Sequence, residues 1–392
     1  MVLLSINAGS SSLKVSAFNS ADLNTPQASV SVEGIGLPNA AFITEEADGT
    51  KETRNLTIES PKEAASLVKQ WLSEELGIQA SDIEGIGHRV VHGGEKYASA
   101  SLVTPELLEY LKSITPLAPN HMPSTLVAIN AFVDTYPEAP QVACFDTSFF
   151  HDIPEVARTL PLPLDLQKEN HIRRYGFHGL SYEYLLGNFK EQEGEEAAKG
   201  KVIIAHLGSG ASIAAIKDGA PIDMSMGFTP VSGIMMSTRS GDIEPGVLSY
   251  LQKEKGMTID EISELVTHKS GLFGVSGTTA DMYTLLQTQS TNPDVQLAVD
   301  LFCYKIKKTI GSFAAALGGV DSIIFSGGIG ERSAEIRARV CDSFGFLGLE
   351  IDDERNAVNG RLISTSTSKV GVHVIPTKED LSIITQTLHI IN

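Results

Sequence analysis

Along the first fifty residues apolar and small polar stretches alternate rapidly. VLLSI is followed by NAGSSS and then by LKVSAF. Short apolar runs bounded by glycine and serine predict strands joined by tight turns. ASVSVEGIG reads as a further short strand. The period then lengthens. Between residues 60 and 76, Ala64, Leu67, Val68, Trp71, Leu72 and Leu76 recur at helical spacing, with Ser60 as expected N-cap, Pro61 at the first helical position, Glu63 completing a capping box and Gly77 as the stop. IEGIGHRVVHGGE predicts a buried strand ending in a glycine loop. Thr104-Pro105 opens a helix, Pro123 begins another running to about Asp134, and QVACFDTSFF predicts a strand delivering Asp146 at its C-terminal end.

Pro154, Pro161 and Pro163 interrupt this regularity and mark a boundary near 150–160, beyond which the pattern restarts. KVIIAHLGSGASIAAIKDG echoes VLLSINAGSSSLKVSAFN in length and glycine position, with His206 standing where Asn7 stands, two residues before the glycine. Such an echo predicts a duplicated frame. A long helix over about 294–317 follows, its face made of Val295, Ala298, Phe302, Ile306, Ile310, Phe313 and Leu317. The strand SIIF then runs into SGGIGERSAEIRARV, read as a glycine loop opening a helix.

Composition narrows the function. The 392 residues are 42% hydrophobic and carry a formal net charge of −18, against a nucleic-acid or anionic-membrane partner, which needs a dominant basic surface. Cys144, Cys303 and Cys341 lie in apolar contexts without metal-ligand spacing, so buried free thiols in a reducing cytoplasm are expected. No apolar run reaches the roughly 18 residues of a membrane span.

Three glycine-rich turns follow apolar strands: NAGSSS, HLGSGAS and SGGIGE. Each alone fits a plain hairpin or helix entry. Three together, in a duplicated frame, favour backbone amides cradling nucleotide phosphates, although none has the P-loop spacing. Arg89 in GHRVVHGG, Arg239 in STRSGDIEP, His178 in RRYGFHGLS, Asp146 at a strand end and Glu379 in PTKED complete the parts needed for phosphoryl transfer, where catalysis is mainly positioning and charge neutralisation.

INAGSSSLK, GHRVVHGGE, FDTSFF, RRYGFHGLS, HLGSGAS, SMGFTPVSG, MSTRSGDIEPG, SGLFGVSG, GGIGERS and IPTKEDL occur in the order seen in acetate kinases, and the chain resembles that family over essentially its whole length. The resemblance implies an α/β fold of two duplicated actin-like (RNase H-like) domains with mixed central sheets and an interdomain cleft. It implies an N-terminal domain of 1–150 plus 380–392, and a C-terminal domain of 151–379 that binds nucleotide and dimerises. The implied reaction is reversible Mg²⁺-dependent transfer from ATP to acetate, giving acetyl phosphate and ADP in a cytoplasmic homodimer, with Mn²⁺ as a substitute metal. By the same resemblance Asn7 and Glu379 match metal positions, and Ser10 and Ser12 a phosphate loop. Arg89 matches the carboxylate-binding arginine, His178 and Arg239 the stabilisers of the transferring group, Asp146 the essential aspartate, and His121 a further active-site histidine. Val91, Asn120, Phe177 and Pro230 match the wall around the methyl group. Lys14, His206, Leu207, Gly208, Ser209 and Gly210 match nucleotide-phosphate contacts. Asp281, Met282 and Tyr283, with Gly328, Ile329, Gly330, Glu331 and Arg332, match the nucleoside cradle.

Several positions depart from the family pattern. Asn120 stands where leucine is usual, placing an amide in an otherwise apolar wall and opening the reading to propionate or another short acid. Ser209, Tyr283 and Arg332 replace asparagine, arginine and asparagine, which leaves another nucleotide or pyrophosphate open as phosphoryl donor. Phe150 and Tyr182 each stand where histidine is usual.

Overall fold

The computed structural model describes residues 1–9, 11–37 and 39–392, and these divide into two compact units. Unit 1 comprises Met1–His151, His178–Tyr184 and Lys378–Asn392; unit 2 comprises Asp152–Phe177 and Leu185–Thr377. The segment 178–184, which the motif order leaves in the second domain, thus packs with the first unit.

Unit 1 is built on an eight-stranded mixed sheet: β1 (Val2–Ala8), β2 (Ser12–Asn19), β3 (Ala28–Glu33), β4 (Ala40–Glu46), β5 (Lys51–Leu56), β6 (Ile83–Val90), β7 (Ser101–Leu102) and β8 (Gln141–Phe145), ordered β5-β4-β3-β2-β1-β6-β8-β7. Both faces of β1 are used. Leu4 and Ile6 pack with Ala64, Val68, Trp71 and Phe132 from the helices Pro61–Glu74 and Met122–Thr135. Leu3, on the opposite face, packs with Phe18 and Ile384 of the helix Glu379–Ile391. Two-residue periodicity puts Ser5 on that same face. β6 admits the terminal helix closely because Gly85 and Gly87 lack side chains: a Cβ on Gly87 would lie 2.2 Å from Thr387 Oγ1 and 2.5 Å from Ile383 Cγ2. These glycines serve helix packing.

Unit 2 holds a five-stranded mixed sheet, β9 (Val202–Leu207), β10 (Ala211–Lys217), β11 (Ala220–Met224), β12 (Ser322–Ser326) and β13 (Gly371–Val374), ordered β11-β10-β9-β12-β13. The expected duplication is present. β3-β2-β1-β6-β8 and β11-β10-β9-β12-β13 share the same sequence of two antiparallel and two parallel pairings. The helix Pro293–Leu317 buries the face read from its periodicity, from Val295 to Leu317, and Asn292 caps it by accepting from the amides of Asp294 and Val295.

Two local expectations change. Ser60 accepts from the Glu63 amide as an N-cap should, but the Glu63 carboxylate reaches back to the amide of Glu59 rather than that of Ser60, at 2.8 Å. GGIGE is not an open loop: the helix begins at Gly327 and runs to Arg332, and a second starts at Ala334. The three cysteines are buried and free, and no helix among the described residues is long and apolar enough to cross a membrane.

Candidate functional site

The ends of β1, β6 and β8 in unit 1 gather the charged residues that the motifs single out. Arg89, near the end of β6, faces Asp146, the residue just after β8. Arg89 Nε lies 3.1 Å from both carboxylate oxygens, and Nη2 donates to Oδ2 at 2.8 Å. The remaining terminal nitrogen, Nη1, lies 3.2 Å from Glu379 Oε2 at the start of the terminal helix. Asp146 is almost fully buried, while Arg89 and Glu379 keep about a fifth of their side chains exposed (20% and 19%). Burial pushes the Asp146 carboxyl above its ordinary range, the guanidinium opposes that, and the Glu379 charge adds to it. Burial also works against the Arg89 charge, but Asp146 and Glu379 outweigh it and raise its pKa further. A fork-to-fork guanidinium–carboxylate pair of this kind is a positioning device, because both partners are held in one plane.

His178 joins the same group through the backbone. The carbonyl of Asp146 accepts from the Gly179 amide at 2.8 Å, and the His178 carbonyl accepts from Tyr182 at 3.1 Å, the first turn of the helix Gly179–Glu193. His178 adopts φ 62°, a left-handed conformation uncommon for a side-chain-bearing residue and frequent at functional positions. Phe150 and Tyr182, the two departures from the family's histidines, are both fully buried and meet edge to face with ring centroids 5.2 Å apart. They form one ring contact in the interior.

The hairpin β1/β2 places Asn7 directly opposite Lys14. Asp380, which the sequence reading passed over, ties this hairpin to the terminal helix. Its carboxylate accepts from Ser5 Oγ at 2.8 Å, from Ser16 Oγ at 3.1 Å and from Lys14 Nζ at 3.2 Å. Glu379 is thereby presented to Arg89. Ser12 opens β2, its carbonyl accepting from the Gly9 amide at 2.8 Å, while Ser10 lies outside the described residues. Val91 packs against the cluster of Leu107, Met122 and Phe145, and His121 precedes the helix that Met122 begins. Asn120 is exposed. It sits in the turn ahead of that helix.

Unit 2 offers space, with Arg239, Asp281, Arg332 and Glu335 as the charged part of its lining. A cavity of about 1030 Å³ opens beside the β9/β10 hairpin. Gly208, Ser209 and Gly210 line it from the turn, and Ser237, Thr238 and Arg239 from the adjoining loop. Asp281, Met282 and Tyr283 line it from one helix, and Gly328, Ile329 and Arg332 from another. The Ser209 carbonyl accepts from the Ser237 amide at 3.2 Å, joining turn to loop, and Arg239 Nη1 donates to the Pro230 carbonyl at 3.1 Å. His206 and Leu207 are buried within β9 and do not line the cavity; Phe177 is likewise buried.

Why GGIG is helical follows from what holds its two ends. Gly327 has φ 73°, and a Cβ there would lie 2.7 Å from the Leu207 backbone, so only glycine fits between the helix and β9. Glu331 turns back on its own helix: Oε1 accepts from the amides of Gly327 at 2.9 Å and Thr377 at 3.1 Å. Its carboxylate is an internal cap, and Glu331 does not line the cavity. At the other end stands Arg337, also passed over in the sequence. Fully buried, it donates to the carbonyls of Gly330 (2.8 Å) and Glu331 (3.0 Å), and to Asn356 and Asn359. Burial draws its pKa down to about 10, which leaves it charged at neutral pH. The available signal was an arginine in an inward stripe, since Ile336, Arg337, Val340 and Cys341 are all buried.

The chain is similar over its whole length to proteins already known. The model of the acetokinase family matches residues 2–385. An acetate kinase of Clostridium beijerinckii is 40% identical over 401 residues, with all of both chains covered. Among solved structures, an acetate kinase of Porphyromonas gingivalis superposes with a TM-score of 0.93 at 37% identity, covering 100% of each chain. A propionate kinase of Francisella tularensis does so with a TM-score of 0.93 at 33% identity, covering 99% of each. With likeness of this extent in both sequence and fold, the chain belongs to the acetokinase family and is a phosphoryl-transferring enzyme.

Proposed function

We propose that this enzyme catalyses reversible, Mg²⁺-dependent transfer of the γ-phosphoryl group of ATP to acetate, giving acetyl phosphate and ADP. The observation that carries the reading is the Arg89–Asp146 pair. Acetate is already ionised at neutral pH and needs no base to activate it. The obstacle is repulsion between a carboxylate and a polyphosphate, and fixed cations offset it. Both Asp146 oxygens lie against Arg89, which suits Asp146 to aiming the guanidinium and not to abstracting a proton. In this reading Arg89 binds the acetate carboxylate, while His178 and Arg239 stabilise the transferring group. Val91, Asn120, Phe177 and Pro230 surround the methyl group, and His121 is a further active-site histidine. Lys14, Ser12 and the turn Gly208–Gly210 face phosphates, and the cavity beside Tyr283 and Ile329 takes the nucleoside.

Asn7 and Glu379 would hold the metal. No cluster of three or more acidic, histidine or cysteine side chains suited to a metal occurs among the described residues. A carboxamide and one carboxylate fit Mg²⁺, which keeps several waters and draws other ligands from substrate phosphates. The metal supplies neutralising charge to the phosphates. A cytoplasmic homodimer completes the proposal; three buried free thiols suit a reducing compartment, and light scattering on the purified chain tests the dimer.

The likeness to a propionate kinase supports a second reading in which propionate is the preferred acid. One experiment separates these: hydroxamate trapping of acyl phosphate with acetate, propionate, butyrate and glycolate, each with ATP, GTP and pyrophosphate. Acetate with ATP should give turnover. Formation of no acyl phosphate with any pairing would overturn the proposal.

A further inference from the structure

The cavity of unit 2 presents an uneven set of polar groups to a base. Two carboxylates line it, Asp281 and Glu335, and both are engaged. Asp281 caps its own helix, Oδ2 accepting from Thr284 N at 2.9 Å and Thr284 Oγ1 at 2.6 Å. Glu335 Oε1 accepts from Arg339 Nη2 at 2.5 Å and Gln289 Nε2 at 2.9 Å. Arg332 lines the same cavity, and its guanidinium has no hydrogen bond or ion pair with any described residue. Tyr283, 73% exposed, supplies a ring in the same lining. The free charged capacity here is therefore that of a donor: a guanidinium has several N–H groups and no acceptor.

Purines differ on this point. The N7/O6 edge of guanine or hypoxanthine presents two acceptors, whereas adenine pairs its N7 acceptor with the N6 amino donor. A guanidinium matches the first edge with two parallel hydrogen bonds and meets the second with only one. We infer that Arg332 is a specificity-determining residue that biases the phosphoryl donor toward 6-oxopurine nucleoside triphosphates, GTP above ATP. Tyr283 supplies a stacking surface indifferent to the base, since every base has a π-face. This inference rests on the kinase reading above and deepens it.

The test is the initial rate of acyl phosphate formation by the full chain with acetate and ATP, GTP or ITP, for the wild type, Arg332→Gln and Tyr283→Ala. In the wild type kcat/KM for GTP exceeds that for ATP by about tenfold, the scale of one good bidentate base contact. ITP follows GTP, because it shares O6 and N7 but lacks the 2-amino group. Arg332→Gln moves the GTP/ATP ratio at least tenfold toward ATP, since a carboxamide matches adenine N6/N7, and leaves the KM for acetate unchanged. Tyr283→Ala weakens all three donors alike. A flat wild-type ratio, a ratio that Arg332→Gln does not move, or ITP behaving as ATP would overturn the assignment while acyl phosphate formation still supports the kinase reading. Absence of acyl phosphate with every donor removes both.

Discussion

The two hairpins β1/β2 and β9/β10 occupy the same place in the same strand frame, yet their surroundings have diverged. Around the first, charge is dense and ordered: Lys14, Asp380, Glu379, Arg89 and Asp146 are linked by ion pairs of 2.8–3.2 Å. Around the second there is a cavity of about 1030 Å³, lined by glycines, hydroxyls and four charged side chains that form no single network. Duplication supplied two copies of a strand-turn-strand scaffold; what differs is what the neighbouring elements bring to it. In unit 1 the terminal helix brings acids. In unit 2 the Gly327–Arg332 helix brings backbone, held close by Gly327, Glu331 and Arg337. One copy orders charge, the other makes room.

That contrast can be broken most sharply at Asp146. Asp146→Asn should lower kcat for acyl phosphate formation by about a hundredfold or more, because the guanidinium is no longer held in one plane, with a much smaller change in melting temperature. Near-normal turnover in that variant would remove the positioning role. The next effect concerns acid stability. His88, buried in β6, donates from Nε2 to Gln141 Oε1 at 2.6 Å, and burial pushes its pKa down to about 4. Its folded pKa lies below the unfolded value near 6.5. The stabilisation is therefore complete above pH 6.5 and is lost as pH falls toward 4, by about 3 kcal/mol. Urea unfolding between pH 7 and pH 4 should show this loss, and His88→Asn should flatten it; an equally steep acid limb in the variant counts against the assignment.

In unit 2, Gly327→Ala must fit a methyl group against the Leu207 backbone at φ 73°. A cost of about 1–3 kcal/mol in stability is expected, together with a raised KM for nucleotide and an unchanged KM for acetate. Parallel rises in both constants would show that the two hairpins are not functionally separate. The smallest effect is at Lys14, half exposed in its pair with Asp380. Lys14→Gln should shift stability by under about 1 kcal/mol, whereas Asp380→Ala, which strands the buried hydroxyls of Ser5 and Ser16, should cost about 1–3 kcal/mol. Equal melting temperatures for the two variants would argue that Asp380 does not anchor the helix.

The frame was legible because its signals are local. Apolar runs, glycine turns, Ser60-Pro61, Thr104-Pro105 and the stripe from Val295 to Leu317 each act within a few residues, and the echo of one hairpin in the other revealed the duplication. GGIGE was misread because glycine's poor helix propensity was outweighed by contacts from Leu207, Thr377 and Arg337, all distant in sequence or unmarked within it. Arg89, Asp146 and Glu379 were visible as parts, but nothing local says that residues 89 and 146 form one fork, or that Asp380 rather than Glu379 anchors the helix.

The terminal helix has a consequence for synthesis. Ser5 and Asp380 are hydrogen-bonded across 375 positions, and Arg89 meets Glu379 only after every residue of unit 2 has been made. A nascent chain therefore carries an N-terminal sheet whose β6 glycines face an empty slot, with Leu3, Phe18 and Cys144 uncovered, through most of its time on the ribosome. Unit 2, enclosed within the sequence of unit 1, has all its residues available first. The unit whose translation starts earliest is the one that must finish folding last, and the interval between is when this chain is most exposed to aggregation.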